Sequence, residues 1–418
     1  MSTDQIALPG PVYCMRKYHC PSFLDRKTRI CPQLLLSGGG GSAKSGIANY
    51  ITIGGIKRSA DGYIHFKPLI MEDMGEELVH EVVGASNGRF IFGSVRDGLV
   101  IYRVVRGEEG SKLKLERVLF EKTETGGGLQ SVVVVKSDDV TVMTGGEEGV
   151  FRRWCFGLKR TGMERECELR LEVSVNVFGV GISAMQLNPT ENYCIVGSEK
   201  GEVAVIDIET NGIVQRIQCP YERNTVQQIV FQSATRMVVL YSGGDGCHVD
   251  IYSLEVEDKK VEWRGEKSLK MKYSMCCMEL CEDDSLLMLG SNEGEVCVLK
   301  VPELKYGMKL RSRHALPVTS LVDLPGHYNL DTIEERLGED EETTNDGKCK
   351  RDWVVSSSID YTVSVMELKD ESRELSFAKL LYVVFLVLMV VYGLYLLKQC
   401  FVCLNYILDI CLISLEIL

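Results

Sequence analysis

Twelve residues near the start of this chain carry its most chemically suggestive spacing: GGGGSAKSGIAN, Gly38 to Asn49. The run Gly38, four residues, then Ala43-Lys44-Ser45 matches a phosphate-binding P-loop with alanine in place of its second glycine. A P-loop must open onto a helix whose N-terminus meets the phosphate. Here Gly46, Asn49 and the run Ile51-Thr52-Ile53 lead into a strand, so nucleotide hydrolysis is not expected. Four consecutive glycines, Gly38 to Gly41, are costly in backbone entropy to order. A bend without a use would more simply be a two-residue turn, which points to a loop kept for its shape.

Other reactive residue types do not assemble into a site. The six histidines (19, 65, 80, 248, 314 and 327) are scattered, and no Ser-His-Asp or paired-carboxylate arrangement accompanies them. His314 opens HALPVTSL, where it is expected to be bonded within the fold. Cys276, Cys277 and Cys281 lack a second pair or a nearby His at zinc-site spacing, and read as core. Cys400 and Cys403 form a Cys-x-x-Cys pair, readable as a luminal disulfide or as two juxtamembrane thiols. An enzyme is not expected.

The elements that position the glycine run are legible as repeats. A short strand ends in small residues, a tight turn follows, and a second strand alternates apolar and other residues. The turns carry Gly98, Gly149, Gly201, Gly246 and Gly294, at intervals of 45–52 residues. A sixth copy, VVSSSIDYTVSVM, centres on Asp360-Tyr361 and lacks the glycine. Counting back, a seventh has Leu34 to Ser37 as first strand and Tyr50 to Ile53 as second, its turn grown into Gly38 to Asn49. Each turn needs a residue at positive φ to match the strand twist. This period and strand length predict an all-β, seven-bladed β-propeller of WD-repeat type, with only Trp154 at the usual aromatic position. A polar stretch at 326–350, with EDEETT inside it, reads as a disordered insertion in the last blade.

Beyond the expected propeller (1–368) and a linker (369–378), the sequence from Leu380 to Leu397 has no charge, and Lys379 and Lys398 bracket it. Eighteen residues at 1.5 Å span about 27 Å, enough for a thin bilayer. A single transmembrane helix is expected over 379–398, followed by a short luminal or interfacial tail, 399–418, whose polar residues favour an amphipathic helix. The N-terminal 30 residues hold charged side chains that include Asp4, Arg16, Lys17, Asp25, Arg26 and Lys27, and no apolar signal core. The body is therefore expected in the cytosol, most of the 16 cysteines being small buried hydrophobes. The formal net charge of −12 and pI near 5.2 argue against nucleic acid as a partner.

Gly38-Gly39-Gly40-Gly41, then Ala43-Lys44-Ser45-Gly46-Ile47 and Asn49, resemble the exchange loop of the Sec-twelve / prolactin regulatory element-binding protein family. The likeness extends to propeller, first-blade insertion and terminal anchor. It departs from the family in Ser42 and in the short tail. What the resemblance implies is a guanine-nucleotide exchange factor in the endoplasmic reticulum membrane, acting without covalent chemistry on a Sar-type small GTPase to begin COPII assembly. COPII coat components are further partners on this reading. It also implies a structural potassium ion, K+, with backbone carbonyls of Gly39, Gly40, Gly41, Ser42 and Ala43 as ligands and Asn49 fixing the base of the loop. Lys44 would pair with an acidic group on the GTPase, or remain a solvated loop lysine. The alternative is a non-exchanging propeller scaffold that assists export of membrane cargo.

Overall fold

The computed structural model describes residues 5–18, 33–41, 45–58, 64–107, 113–123, 130–138, 140–161, 164–244, 246–257, 260–310, 314–324 and 352–368, with isolated positions between 382 and 398. The chain divides into two units, Met1–Leu368 and Lys369–Leu418.

The first unit opens with β1 (Gln5–Ala7). Blade 1 follows as β2 (Val12–Tyr18), β3 (Gln33–Gly38), β4 (Asn49–Arg58) and β5 (Ile64–Gly75), and blade 2 as β6 (Glu81–Gly84), β7 (Phe90–Val95), β8 (Gly98–Arg106) and β9 (Leu113–Lys122). Blade 3 holds β10 (Gln130–Val135), β11 (Thr141–Gly146), β12 (Val150–Thr161) and β13 (Glu164–Asn176). Blade 4 holds β14 (Ile182–Leu187), β15 (Tyr193–Ser198), β16 (Val203–Asp207) and β17 (Ile213–Ile217). Blade 5 runs through β18 (Asn224–Ser233), β19 (Arg236–Gly243), β20 (Gly246–Glu257) and β21 (Lys260–Met271). Blade 6 comprises β22 (Met275–Leu280), β23 (Leu286–Ser291), β24 (Val296–Lys300) and β25 (Lys305–Leu310). The last blade has β26 (Val318–Leu324), β27 (Asp352–Ser358) and β28 (Thr362–Leu368), and takes β1 as its fourth strand. Antiparallel pairing of Ile6 with Val363 thus closes the ring with the N-terminal strand. The fold is all-β, a seven-bladed propeller.

Strand alternation explains how the ring coheres. On β3, Leu34 and Leu36 pack into the core shared with blade 7, beside Val322 and Val355, while Leu35 between them faces blade 2 with Val82 and Ile91. Period-two apolar residues therefore feed two inter-blade cores at once. Seven such clusters occur among the described residues, one between each pair of neighbouring blades. Each fully buried Leu or Ile contributes roughly 1.5–3 kcal/mol. Cys277 and Cys281 lie in the cluster between blades 6 and 7, where burial pushes the Cys277 thiol up.

The turns follow the expected chemistry with one difference. Gly149, Gly201, Gly246 and Gly294 have positive φ. In blade 2 the positive φ belongs to Asp97, at 67°, one residue before Gly98. Val95 pairs directly with Gly98, so Arg96-Asp97 forms a two-residue hairpin. Gly98 is needed instead for space, since a Cβ there would lie 2.2 Å from the Glu121 carbonyl oxygen. In blade 7, Tyr361 stands at the glycine position with φ 72°, a conformation that costs an L-residue about 1–2 kcal/mol.

The polar insertion at 326–350 and the tail 399–418 lie outside the described residues. Among the described residues no helix is long and apolar enough to cross a membrane. The expected span over 379–398 falls mostly outside them. The positions described there include Tyr382, Phe385, Leu386, Leu388, Met389 and Tyr392, which are helical and exposed.

Candidate functional site

The glycine run bridges the second and third strands of blade 1. Gly38 ends β3 and Asn49 begins β4, so the loop opens onto a strand and not onto the helix a P-loop requires. Gly38 and Gly39 are buried, Gly40, Gly41 and Ile47 half-buried, and Ser45 and Gly46 exposed. Ser42, Ala43 and Lys44 lie outside the described residues.

Close contacts account for the glycines. A Cβ on Gly39, where φ is 140°, would sit 2.5 Å from the Asn49 Cα, and one on Gly40 would sit 2.3 Å from Ser45 Oγ and 2.6 Å from Ile47 Cβ. Where the two limbs of the loop meet, the bare main chain of Gly39 and Gly40 therefore lies against Asn49, Ser45 and Ile47 of the far limb, with no room for a side chain of its own. Asn49, 1 % exposed, clasps them: its Oδ1 accepts from the Gly41 amide at 2.9 Å, and its Nδ2 donates to the carbonyls of Gly41 at 2.7 Å and Gly75 at 2.8 Å. One side chain thus ties the loop to itself and to the end of β5. Removing it by Asn49→Ala is expected to speed hydrogen exchange at the Gly41 amide at least tenfold while β3 and β4 keep their protection, measured by exchange mass spectrometry. Unchanged exchange at Gly41 would show that the clasp is idle.

A second support comes from the stretch joining β1 to β2. The Gly39 amide donates to the Pro11 carbonyl at 3.0 Å, and the buried Tyr50 hydroxyl donates to the Gly10 carbonyl at 3.0 Å. A Cβ on Gly10 would fall 2.8 Å from Ile47 Cγ2. Gly10, Pro11, Tyr50 and Gly75 were not marked by any spacing motif. Pro9-Gly10-Pro11 reads as a rigid turn, but its pairing with the loop appears only once the ring is closed.

Inside the ring, a cavity of about 180 Å³ has Tyr13, Arg16, Glu81, Gln186, Gln228 and Ser320 on its wall. Much of this polarity is used between blades. Glu81 binds Arg16 and accepts from the Val133 amide at 3.2 Å, Gln228 Oε1 accepts from the Met278 amide at 2.8 Å, and Ser320 Oγ accepts from the Met15 amide at 3.2 Å. In blade 7 the buried His314 is hydrogen-bonded to Ser356 Oγ and Thr362 Oγ1, both at 2.8 Å. Burial holds its pKa below the ordinary value, which keeps it neutral near pH 7. His314 is a fastening within the blade, as its place in the repeat suggests.

The described residues of the glycine loop therefore converge into one compact feature, while among the described residues no group of histidines, cysteines and carboxylates is placed to hold a metal ion. The chain matches no family model and no curated protein.

Proposed function

We propose that this protein is a guanine-nucleotide exchange factor for a Sar-type small GTPase, anchored in the endoplasmic reticulum membrane by residues 379–398. The observation that carries the reading is the built-in shape of the glycine loop. Its limbs meet where only glycine fits, Asn49 clasps its base, and the Gly10-Pro11 stretch braces it against a closed ring. A loop whose described base is fixed in this way loses less entropy there when it binds. An exchange factor needs this: it binds the nucleotide-free GTPase more tightly than the nucleotide-bound form, and by linkage weakens nucleotide by the same factor. Moving that equilibrium from 1:99 to 99:1 takes about 5.5 kcal/mol. Gly38 to Asn49 supply the wedge, with Lys44 pairing an acidic group on the GTPase.

A structural potassium ion fits the residues present. A hard monovalent cation is held by several carbonyls turned to one point, and Gly39, Gly40 and Gly41 carry no side chains to crowd such carbonyls, with Ser42 and Ala43 following; the Gly41 carbonyl would share its oxygen between the ion and Asn49 Nδ2. Ser37 Oγ, fully buried next to Gly38, has no hydrogen-bond partner and suits a site that draws in a cation. The ion would stiffen the loop, and Asn49 holds the base on which it rests.

Support for the anchor is the uncharged run from Leu380 to Leu397 and the exposure, 45–64 %, of the helical apolar side chains described within it.

The deciding assay follows release of labelled GDP from a Sar-type GTPase with catalytic amounts of the full chain in detergent micelles. Release is expected to accelerate at least tenfold in potassium and less in sodium. An unchanged rate in potassium removes the exchange reading and leaves the non-exchanging export scaffold; equal rates in both salts remove the ion.

A further inference from the structure

In the turn between second and third strands, blades 3 to 6 place Gly149, Gly201, Gly246 and Gly294 at positive φ, whereas blade 7 places Tyr361 there. A bulky residue in this conformation is an outlier that calls for a reason. Burial does not supply one, since Tyr361 is 37 % exposed. Its main chain does serve the fold, its carbonyl accepting from the Leu8 amide at 2.7 Å, but glycine would make that bond equally well. The fold therefore explains the backbone and leaves the phenol ring unexplained.

The turn is tied to a segment that carries a second exposed apolar side chain. Asp360 accepts from the Thr362 amide at 3.1 Å through Oδ1 and from the Ala315 amide at 2.7 Å through Oδ2, joining the turn to the segment before β26. Ser358 Oγ donates to the Leu316 carbonyl at 3.1 Å. Leu316, 46 % exposed, is thus fixed beside the Tyr361 turn. From Tyr361 the contacts run through Leu8 to exposed Pro9 and on to Gly10, which meets Ile47 and Gly39 of the glycine loop. Two exposed apolar side chains, held by hydrogen bonds and one of them at a backbone cost, stand at the same seam as the loop. The corresponding turns of other blades carry Asp97, Glu147, Glu199, Glu202, Glu293 and Glu295 against Arg96 and Lys200, so acidic side chains outnumber basic ones on these turns.

We propose that Tyr361 and Leu316 form a second contact patch for the GTPase engaged by the glycine loop, one that fits an apolar surface on that partner flanked by basic side chains. This rests on the exchange reading above. Aromatic anchors carry a large share of interface energy, while surrounding charges set orientation and association rate.

The test compares Tyr361→Gly, Leu316→Ser and a remote control, Val214→Ser on the outer strand β17, in the full chain in detergent micelles. The affinity of each for nucleotide-free Sar-type GTPase is measured, together with Tm. Tyr361→Gly is expected to bind at least tenfold more weakly with a Tm no lower than that of the wild type, because glycine relieves the turn. Leu316→Ser should weaken binding in the same direction, and Val214→Ser should leave it unchanged. If the wild type binds and Tyr361→Gly binds within twofold of it, the patch is wrong and the exchange reading stands. A Tm lowered by several degrees in Tyr361→Gly assigns the ring to the fold and overturns the patch. Absence of binding by the wild type overturns both.

Discussion

On the exchange function proposed above, Gly40→Val is expected to bring nucleotide release down to the intrinsic rate of the GTPase, a loss of at least a hundredfold in stimulation, while leaving the propeller folded. The added side chain would begin 2.3 Å from Ser45 Oγ and 2.6 Å from Ile47 Cβ. Both atoms belong to the far limb of the same loop and neither is part of an inter-blade core. The limbs must separate, and with them goes the shape on which the proposed exchange function rests. Since the exchange free energy is a difference between two bound states of the GTPase, a finger displaced by an ångström or two forfeits much of it. Gly39 would be a poorer choice, because its Cβ would strike the Asn49 main chain at the head of β4 and disturb the blade itself. Gly46→Ala provides the graded comparison. Its φ is 69° and nothing lies within 4 Å of a Cβ there, so only a local conformational cost of about 1–2 kcal/mol applies. Exchange should fall modestly in Gly46→Ala and vanish in Gly40→Val, with thermal unfolding of both near that of the wild type. Wild-type stimulation by Gly40→Val would separate the loop's shape from the activity.

The two kinds of structural information were unequally legible in the sequence. Blade count and strand order were open to reading because Leu34, Leu35 and Leu36 alternate between two cores and because turn chemistry recurs with the blade. The glycine loop stood out for the opposite reason, as the one turn that broke the period. What held it was hidden. The Gly39–Pro11 bond joins residues that become neighbours only when blade 1 forms, and the Tyr50 hydroxyl looks from sequence like any core aromatic. Asn49 was visible as a residue type suited to the base of the loop, but its second bond, to Gly75 at the end of β5, was not. The misplacement at Gly98 has a local cause. Asp and Gly both suit positive φ, and only the register Val95–Gly98 decides which of Asp97 and Gly98 takes it. Tyr361 could be noted as a missing glycine; that its φ is nevertheless positive required the backbone.

The charges between the innermost strands belong to the same hidden class, and they carry the second large effect. Glu279 on β22 lies within electrostatic reach of Arg16 and Lys17 of β2 and of Asp323 of β26, with Glu81 of β6 bound to Arg16. Burial raises its carboxyl from 4.5 to about 7, against the opposing pull of Arg16 and Lys17, with Asp323 adding to the rise. The folded state then holds this proton more tightly than the unfolded chain. The group's contribution to stability is full below pH 4.5 and is lost as pH rises through 7. At about 1.4 kcal/mol per tenfold, the ceiling is about 3 kcal/mol. Glu279 is only half-buried, and screening by solvent brings the expected figure to about 1–2 kcal/mol. Glu279→Gln, which keeps the shape and removes the ionisation, should therefore stabilise the 1–368 unit by that amount at pH 8 and by nothing at pH 4, read from urea midpoints of intrinsic fluorescence. An equal change at both pH values would mean that packing, and not the proton, sets the difference. A destabilised variant at pH 8 would mean that ionised Glu279 is held by Arg16 and Lys17 strongly enough to outweigh its burial, so that charge pairing between blades, and not desolvation, decides the balance at this position.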